Sequence, residues 1–311
     1  MAGSDSWLLN RRLTDKFGDL VNREEKSDIK FAFPGSSKVI YGHKLILSVG
    51  SPVFDAMFYG PVKETTDTIN IPDIIPEAFL ELVRFIYSER VQLTIDNVVE
   101  VKYAAKKYLV PQLEHPCDVY MKECLKVDTV CSLMNLCYSF RYDESVNQCL
   151  EFISANTTAV LRQDNFKSLH YELLKAVLEL DPVTYTTELE MFEAAIQWAE
   201  CKCLEEELEP SPENIRTTLG DAIYLIHYGA LTMEEYASFV SPTRIIPPEL
   251  SIEIFEILGT KQQSLKQGMI FHFPESVLKA RGKAGPVKKR FKSTRAISQR
   301  EVEMKCQEVS E

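Results

Sequence analysis

The chain has 311 residues, 45% of them hydrophobic and 26% charged, with 12 Gly and 15 Pro. That is core enough for about two folded domains, and it excludes collagen-like and low-complexity classes. The formal charge of −11 is uneven: residues 276–311 hold ten Lys/Arg and four Glu, a net of +6, which leaves −17 to residues 1–275 and argues against nucleic acid as the main partner.

No apolar run approaches the roughly 20 residues of a membrane-spanning helix. The opening MAGSDSWLLNRRL places its charge after a very short apolar patch, which is not a signal-peptide pattern. Eight Cys in such a chain read as reduced intracellular thiols. Cys117, Cys124 and Cys131 repeat among apolar neighbours at helical spacing, as small buried hydrophobes do. Cys201 and Cys203 are too close for the usual zinc clasp, and neither a second pair nor a nearby His completes one. No metal and no cofactor is expected.

In chain order, residues 6–23 read as an amphipathic helix with Leu9, Leu13, Phe17, Leu20 and Val21 on one stripe, weakened at Gly18. Such a stripe must be buried, and a partner subunit is a candidate. Ile29, Phe31 and Phe33 alternate with Lys30 and Ala32, Pro34-Gly35 turns the chain, and Val39–Tyr41 follow as the second arm of a hairpin. GHKLILSVGSPVFDAMF predicts two helices, broken at Gly50-Ser51 because Pro52 tolerates only a helix's first turn. TDTINIPD predicts a third strand. Pro76 opens a helix facing inward through Ala78, Phe79, Leu82, Val83 and Ile86. A short strand is expected at Val91–Leu93, a helix capped by Asp96, and another from Pro111 with Leu113, Cys117, Met121 and Cys124 aligned.

From about residue 126 the strand signals cease. Residues 127–240 read as successive helices with short links, among them MFEAAIQWAECK, where Phe192, Ala195, Ile196 and Ala199 share a face and Trp198 packs in the core. After Gly259 the pattern decays, with one extended segment expected around Met269–Phe273. KARGKAGPVKKRFKSTRAISQR then carries nine basic residues and no acid, and reads as a flexible tail.

The order of elements resembles a BTB (POZ) domain. The motifs that carry the resemblance are Asp28, Gly42-His43-Lys44 leading into LILSVGSPVFDAMF, INIPD, FLELVRFIYSERVQL and VVEVKYAAKKYLVPQL. YSFRYDESVNQCLEFI and MFEAAIQWAE are similar to the helical BACK domain that follows BTB in many adaptors. FDAMFYG and YAAKKYLVPQL resemble the branch that continues into a PHR β-sandwich, although the residues after Gly259 are too few for one. The implied fold class is an α+β BTB/POZ domain followed by an all-α BACK domain and a basic, mostly disordered tail. The expected divisions are a dimerisation helix at 1–26, BTB at 27–125, BACK at 126–245, a linker at 246–275 and the tail at 276–311.

The resemblance implies a two-fold dimer through the leading helix and first strand, with Leu13, Phe17, Leu20, Asp28 and Ile29 at the interface. It also implies an adaptor of a Cullin-3 RING ubiquitin ligase, not itself an enzyme. The cullin-contacting residues would be Phe58, Tyr59, Val62 and Glu64, since Val62-Lys63-Glu64 fits the family's hydrophobic–any–Glu loop. Physically, an apolar side chain on an exposed loop is an anchor, and a carboxylate beside it sets orientation. Expected partners are the chain itself or related BTB proteins, Cullin-3 and protein substrates, with no membrane, in the cytoplasm. Two alternatives stay open. One is a regulator that heterodimerises without ligase activity; the other is a nuclear transcriptional cofactor using Lys288-Lys289-Arg290. Catalysis has no support, because neither His43 nor His170 has a nucleophile at a recognisable spacing.

Overall fold

The computed structural model describes residues 12–181, 186–260 and 291–292, which divide into two compact units meeting at residues 124 and 125. The expectations for Met269–Phe273 and Lys288–Arg290 lie outside the described residues.

The first unit is a three-stranded sheet covered by short helices. β1 (Ile29–Ala32) pairs antiparallel with β2 (Val39–Gly42) and parallel with β3 (Thr68–Asn70), giving the order β2-β1-β3. The register aligns Phe31 with Ile40 on one side and Ile69 on the other, and all three are buried while Lys30, Thr68 and Asn70 face outward. This is the period-2 alternation of a sheet with one covered face.

Helices α1 (Leu13–Gly18), α2 (Lys44–Gly50), α3 (Pro52–Tyr59), α4 (Pro76–Ser88), α5 (Val98–Lys107) and α6 (Pro111–Glu123) complete the unit. α3, α4 and α6 each carry Pro in the first turn, where the missing N–H costs nothing. The core is aromatic: Phe31 lies 4.7 Å from Phe79, Phe54 lies 4.4 Å from Tyr108, and Phe58 stacks on Phe54 at 5.7 Å. Such pairs add to area burial by up to about 1.5 kcal/mol each. Burial pushes the Cys117 and Cys131 thiols up to about 12, which makes both inert small hydrophobes.

Three local expectations need correction. The leading helix spans Leu13–Gly18 among the described residues, ending at the glycine, and Leu20 and Val21 follow in turns. No strand forms at Val91–Leu93, because its backbone is bonded to side chains instead: Gln92 N–H donates to the buried Glu81 carboxylate at 2.7 Å, and Gln92 C=O accepts from Asn97 Nδ2 at 3.1 Å. Asn97, not Asp96, stands before α5, and its side chain is spent on this loop through Thr94 N–H at 2.8 Å.

The second unit is helical between residues 130 and 260 apart from its connecting turns, with no strand among its described residues. α7 (Val130–Ser139) packs on α8 (Asp143–Ala155); α9 (Thr157–Leu161), α10 (Tyr171–Leu178), α11 (Glu188–Glu205) and α12 (Pro212–Leu219) follow. α11 starts with a reciprocal cap between Thr187 and Glu190, and Phe192, Ala195, Trp198 and Ala199 are buried. The Trp198 indole donates to Leu169 C=O at 2.8 Å, which satisfies its one polar group inside the core. α13 (Met233–Glu235) continues into a π-helical stretch, Tyr236–Val240. α14 (Pro248–Thr260) lies where a linker was expected; Leu250, Ile254, Ile257 and Leu258 recur at helical spacing and are buried, so this stretch belongs to the folded unit. No helix among the described residues is long and apolar enough to cross a membrane.

Candidate protein-interaction surfaces

The first surface begins where α3 ends. Ser51 starts the helix: its hydroxyl accepts Phe54 N–H at 3.3 Å and donates to Tyr108 C=O at 2.5 Å. The helix stops at Gly60, whose backbone turns extended, and a Cβ there would stand 2.3 Å from Ala56 O. The chain turns back so that Glu64 N–H reaches Met57 C=O at 2.9 Å, and Lys30 N–H donates to Asp67 C=O at 3.0 Å where the loop runs into β3; loop residues 61–67 are all exposed. Tyr59 is 56% and Val62 57% exposed, while Phe58 is only 5% exposed.

The four candidate residues therefore divide. Tyr59, Val62 and Glu64 stand on one exposed helix end and loop, with two apolar anchors and a carboxylate. Phe58 does not join them, because its ring is stacked flat against Phe54 and forms part of the core. It supports the surface from beneath, with Tyr59 edge-on to it at 6.5 Å.

The second surface lies on α1 and α2. α1 packs on α4, where Arg90 donates to Asp15 at 2.5 Å, and Leu13 remains 65% exposed with Phe17 and Leu20 half-buried. Asp28 is exposed; its Oδ1 accepts Lys44 N–H at 2.8 Å at the start of α2. Ile29 departs from its expected role: it is 2% exposed, points into the sheet's covered face opposite Gly42, and presents nothing to a partner. His43 N–H and Nδ1 both meet Tyr87 Oη, at 2.8 and 2.9 Å. Burial holds the Tyr87 hydroxyl well above the ordinary phenol range, with the Asp28 charge adding to the shift. This cluster is a structural clasp between β2 and α4.

Two residues on α2 were missed. Leu45 is 67% and Val49 83% exposed, one turn apart on the face opposite the buried Leu47. The sequence did carry the signal: apart from the Lys44–Ser48 stripe KLILSVG is apolar, a wider apolar surface than Leu47 alone buries.

In the second unit a cavity of about 530 Å³ is lined by Leu169, His170, Tyr171, Trp198, Lys202 and Thr217, among others. Two of its polar groups are tied to structure, the Trp198 indole to Leu169 C=O and Tyr171 Oη to Leu219 C=O at 3.0 Å. Among the described residues no group of three or more His, Cys, Asp or Glu side chains converges as metal ligands would.

The first unit is a small mixed sheet under short helices, and a separate helical unit follows it in the chain. The BTB/POZ domain family model matches residues 17–125, and the model described as "BTB And C-terminal Kelch" (BACK) matches residues 130–227. The chain is a BTB–BACK domain protein. It is 35% identical to human BTB/POZ domain-containing protein 6 over 255 residues, covering 81% of this chain and 47% of that protein. Against zebrafish (Danio rerio) BTB/POZ domain-containing protein 6-B it is 34% identical over 238 residues, covering 76% and 49%. Human BTB/POZ domain-containing protein 3 is 33% identical over 238 residues, covering 76% and 45%. The chain spans about half the length of the curated relatives it matches.

Proposed function

We propose that this protein is a dimeric, non-enzymatic adaptor that binds Cullin-3 through the α3 end and the following loop, and presents protein substrates for ubiquitination. The observation that carries the reading is the exposure of Tyr59 and Val62 beside the Glu64 carboxylate, on a rigid helix end within the first unit. A few anchor side chains, aromatic ones above all, supply most of the energy of such contacts. The exposed apolar face of α2, with Leu13 of α1, is the proposed dimer surface. Two copies would set two cullin arms on one scaffold and raise the effective concentration of a shared substrate. Cytoplasmic residence belongs to the same proposal.

The test is calorimetric titration of the full chain with the N-terminal region of Cullin-3. Saturable binding that weakens when Val62 and Glu64 are both replaced by Ala supports the reading. Absence of measurable binding removes the ligase role and leaves a dimerising regulator.

A further inference from the structure

Asn147 lies on the inner side of α8, only 8% exposed, and its amide uses both N–H donors and its oxygen. Nδ2 donates to Asp143 C=O of its own helix at 2.7 Å. The remaining capacity goes to a residue 144 positions away: Oδ1 accepts Phe291 N–H at 2.7 Å, and Nδ2 donates to Phe291 C=O at 3.2 Å. The Phe291 ring meets the Tyr138 ring of α7 edge-on at 5.9 Å. All of these residues lie in the second unit.

One side-chain amide that both donates to and accepts from a single residue's backbone is doing what a neighbouring β-strand does. It reads main chain and is indifferent to the side chains on either side. Specificity then rests on the ring. Phe291 is the one aromatic residue of 276–311, and Lys288, Lys289, Arg290 and Lys292 flank it in sequence. On the receiving side α8 begins with Asp143 and Glu144, within one turn of Asn147. With Phe291 in place both ends of the Asn147 amide are paired, as a buried amide requires.

We propose that Tyr138 and Asn147 form a peptide-recognition notch for a segment carrying an aromatic residue among Lys/Arg. The chain's own Phe291 fills it in cis, so that an external protein segment of the same chemistry must displace the tail to bind. The notch is independent of the cullin surface, and either assignment can fail without the other.

The experiment uses the full chain and a fluorescent peptide spanning residues 284–297, AGPVKKRFKSTRAI. A cis occupant that holds the site about 90% of the time lowers the apparent affinity of a trans ligand about tenfold. The peptide should therefore bind Phe291→Ala protein about tenfold more tightly than wild type. Binding should be lost when Asn147→Leu or Tyr138→Ala is added to that variant. A peptide with Ala in place of its Phe should fail on all of them, which separates recognition from charge attraction to an acidic protein. In wild type, hydrogen exchange should show the Phe291 amide protected, a reading that needs no variant to fold. The proposal is overturned if that amide exchanges at the free-peptide rate. It is equally overturned if the peptide binds wild type and Phe291→Ala alike, binds the double variants unchanged, or binds none of them.

Discussion

The Ser51 hydroxyl donates to Tyr108 C=O at 2.5 Å while accepting the Phe54 amide at 3.3 Å, so one fully buried oxygen both starts α3 and fixes it to the end of α5. The Tyr108 ring lies 4.4 Å from Phe54, which makes the same junction a packing contact. Replacing Ser51 by Ala removes the cap and leaves a buried carbonyl with one bond fewer. The expected cost is about 1–2 kcal/mol of unfolding free energy, read by urea denaturation. Because α3 ends in the proposed cullin surface, the variant should also bind Cullin-3 more weakly.

Phe58 and Val62 are close in sequence and opposite in role, which predicts opposite outcomes for the same substitution. Phe58→Ala opens a cavity beneath α3 and should cost about 3–5 kcal/mol of stability. Val62→Ala touches an exposed side chain and should leave stability within about 0.5 kcal/mol. It should nevertheless weaken Cullin-3 binding by about 1–2 kcal/mol if Val62 is an anchor. Thermal denaturation and calorimetric titration of both variants check the split. A Val62→Ala protein that melts early but binds normally would reverse the assignment.

How much of this was legible in the sequence depended on the kind of signal. Punctuation was readable: Pro52, Pro76 and Pro111 each mark a helix start that the structure confirms, since proline restricts local geometry whatever surrounds it. Alternation placed β1, β2 and β3. What could not be read was side-chain competition for backbone. Val91–Leu93 has strand composition, but Glu81 and Asn97 capture its polar groups from other elements. Neighbouring apolar residues were equally indistinct: FDAMFYG does not reveal that Phe58 turns inward and Tyr59 outward, because the helix phase is set by Phe54 stacking in the core. The α2 face was readable, because Leu45 and Val49 lie one turn apart, away from the Leu47 side that enters the core.

That face gives the third prediction. Leu45 and Val49 are exposed and contribute little to the core of their own unit. Leu45→Glu with Val49→Glu should leave the circular dichroism spectrum and melting temperature nearly unchanged. It should shift the protein from dimer to monomer in light scattering, because burying two carboxylates in an apolar interface is prohibitive. A wild-type protein that is already monomeric at micromolar concentration would end the dimer proposal, and so would a variant that stays dimeric.

Two carboxylates of the first unit predict opposite dependences on pH. Asp73 accepts from Tyr103 Oη at 2.7 Å and from Lys107 Nζ at 2.7 and 2.9 Å. Burial pushes its pKa upward, but the bonds from Lys107 and Tyr103 outweigh burial and hold it below the ordinary value of 3.8. The unfolded chain therefore takes up this proton first on acidification, so the stabilisation is complete above pH 3.8 and is lost as the pH falls through the lower folded value. Glu100 is the reverse case: burial, with the Glu77 charge adding to it, raises its pKa above 4.5 despite the bond from Ile75 N–H at 3.0 Å. Its contribution is present below pH 4.5 and is lost as the pH rises through the raised folded value, leaving a cost at neutrality. Asp73→Asn should accordingly destabilise the protein at pH 7, with the deficit shrinking in acid. Glu100→Gln keeps an acceptor for Ile75 and sheds the charge, so it should stabilise at pH 7, with the gain vanishing below pH 4.5. Urea denaturation of the three proteins between pH 3 and 7 reads both signs. Matching pH profiles for the two variants would show that neither carboxylate is set by the contacts described.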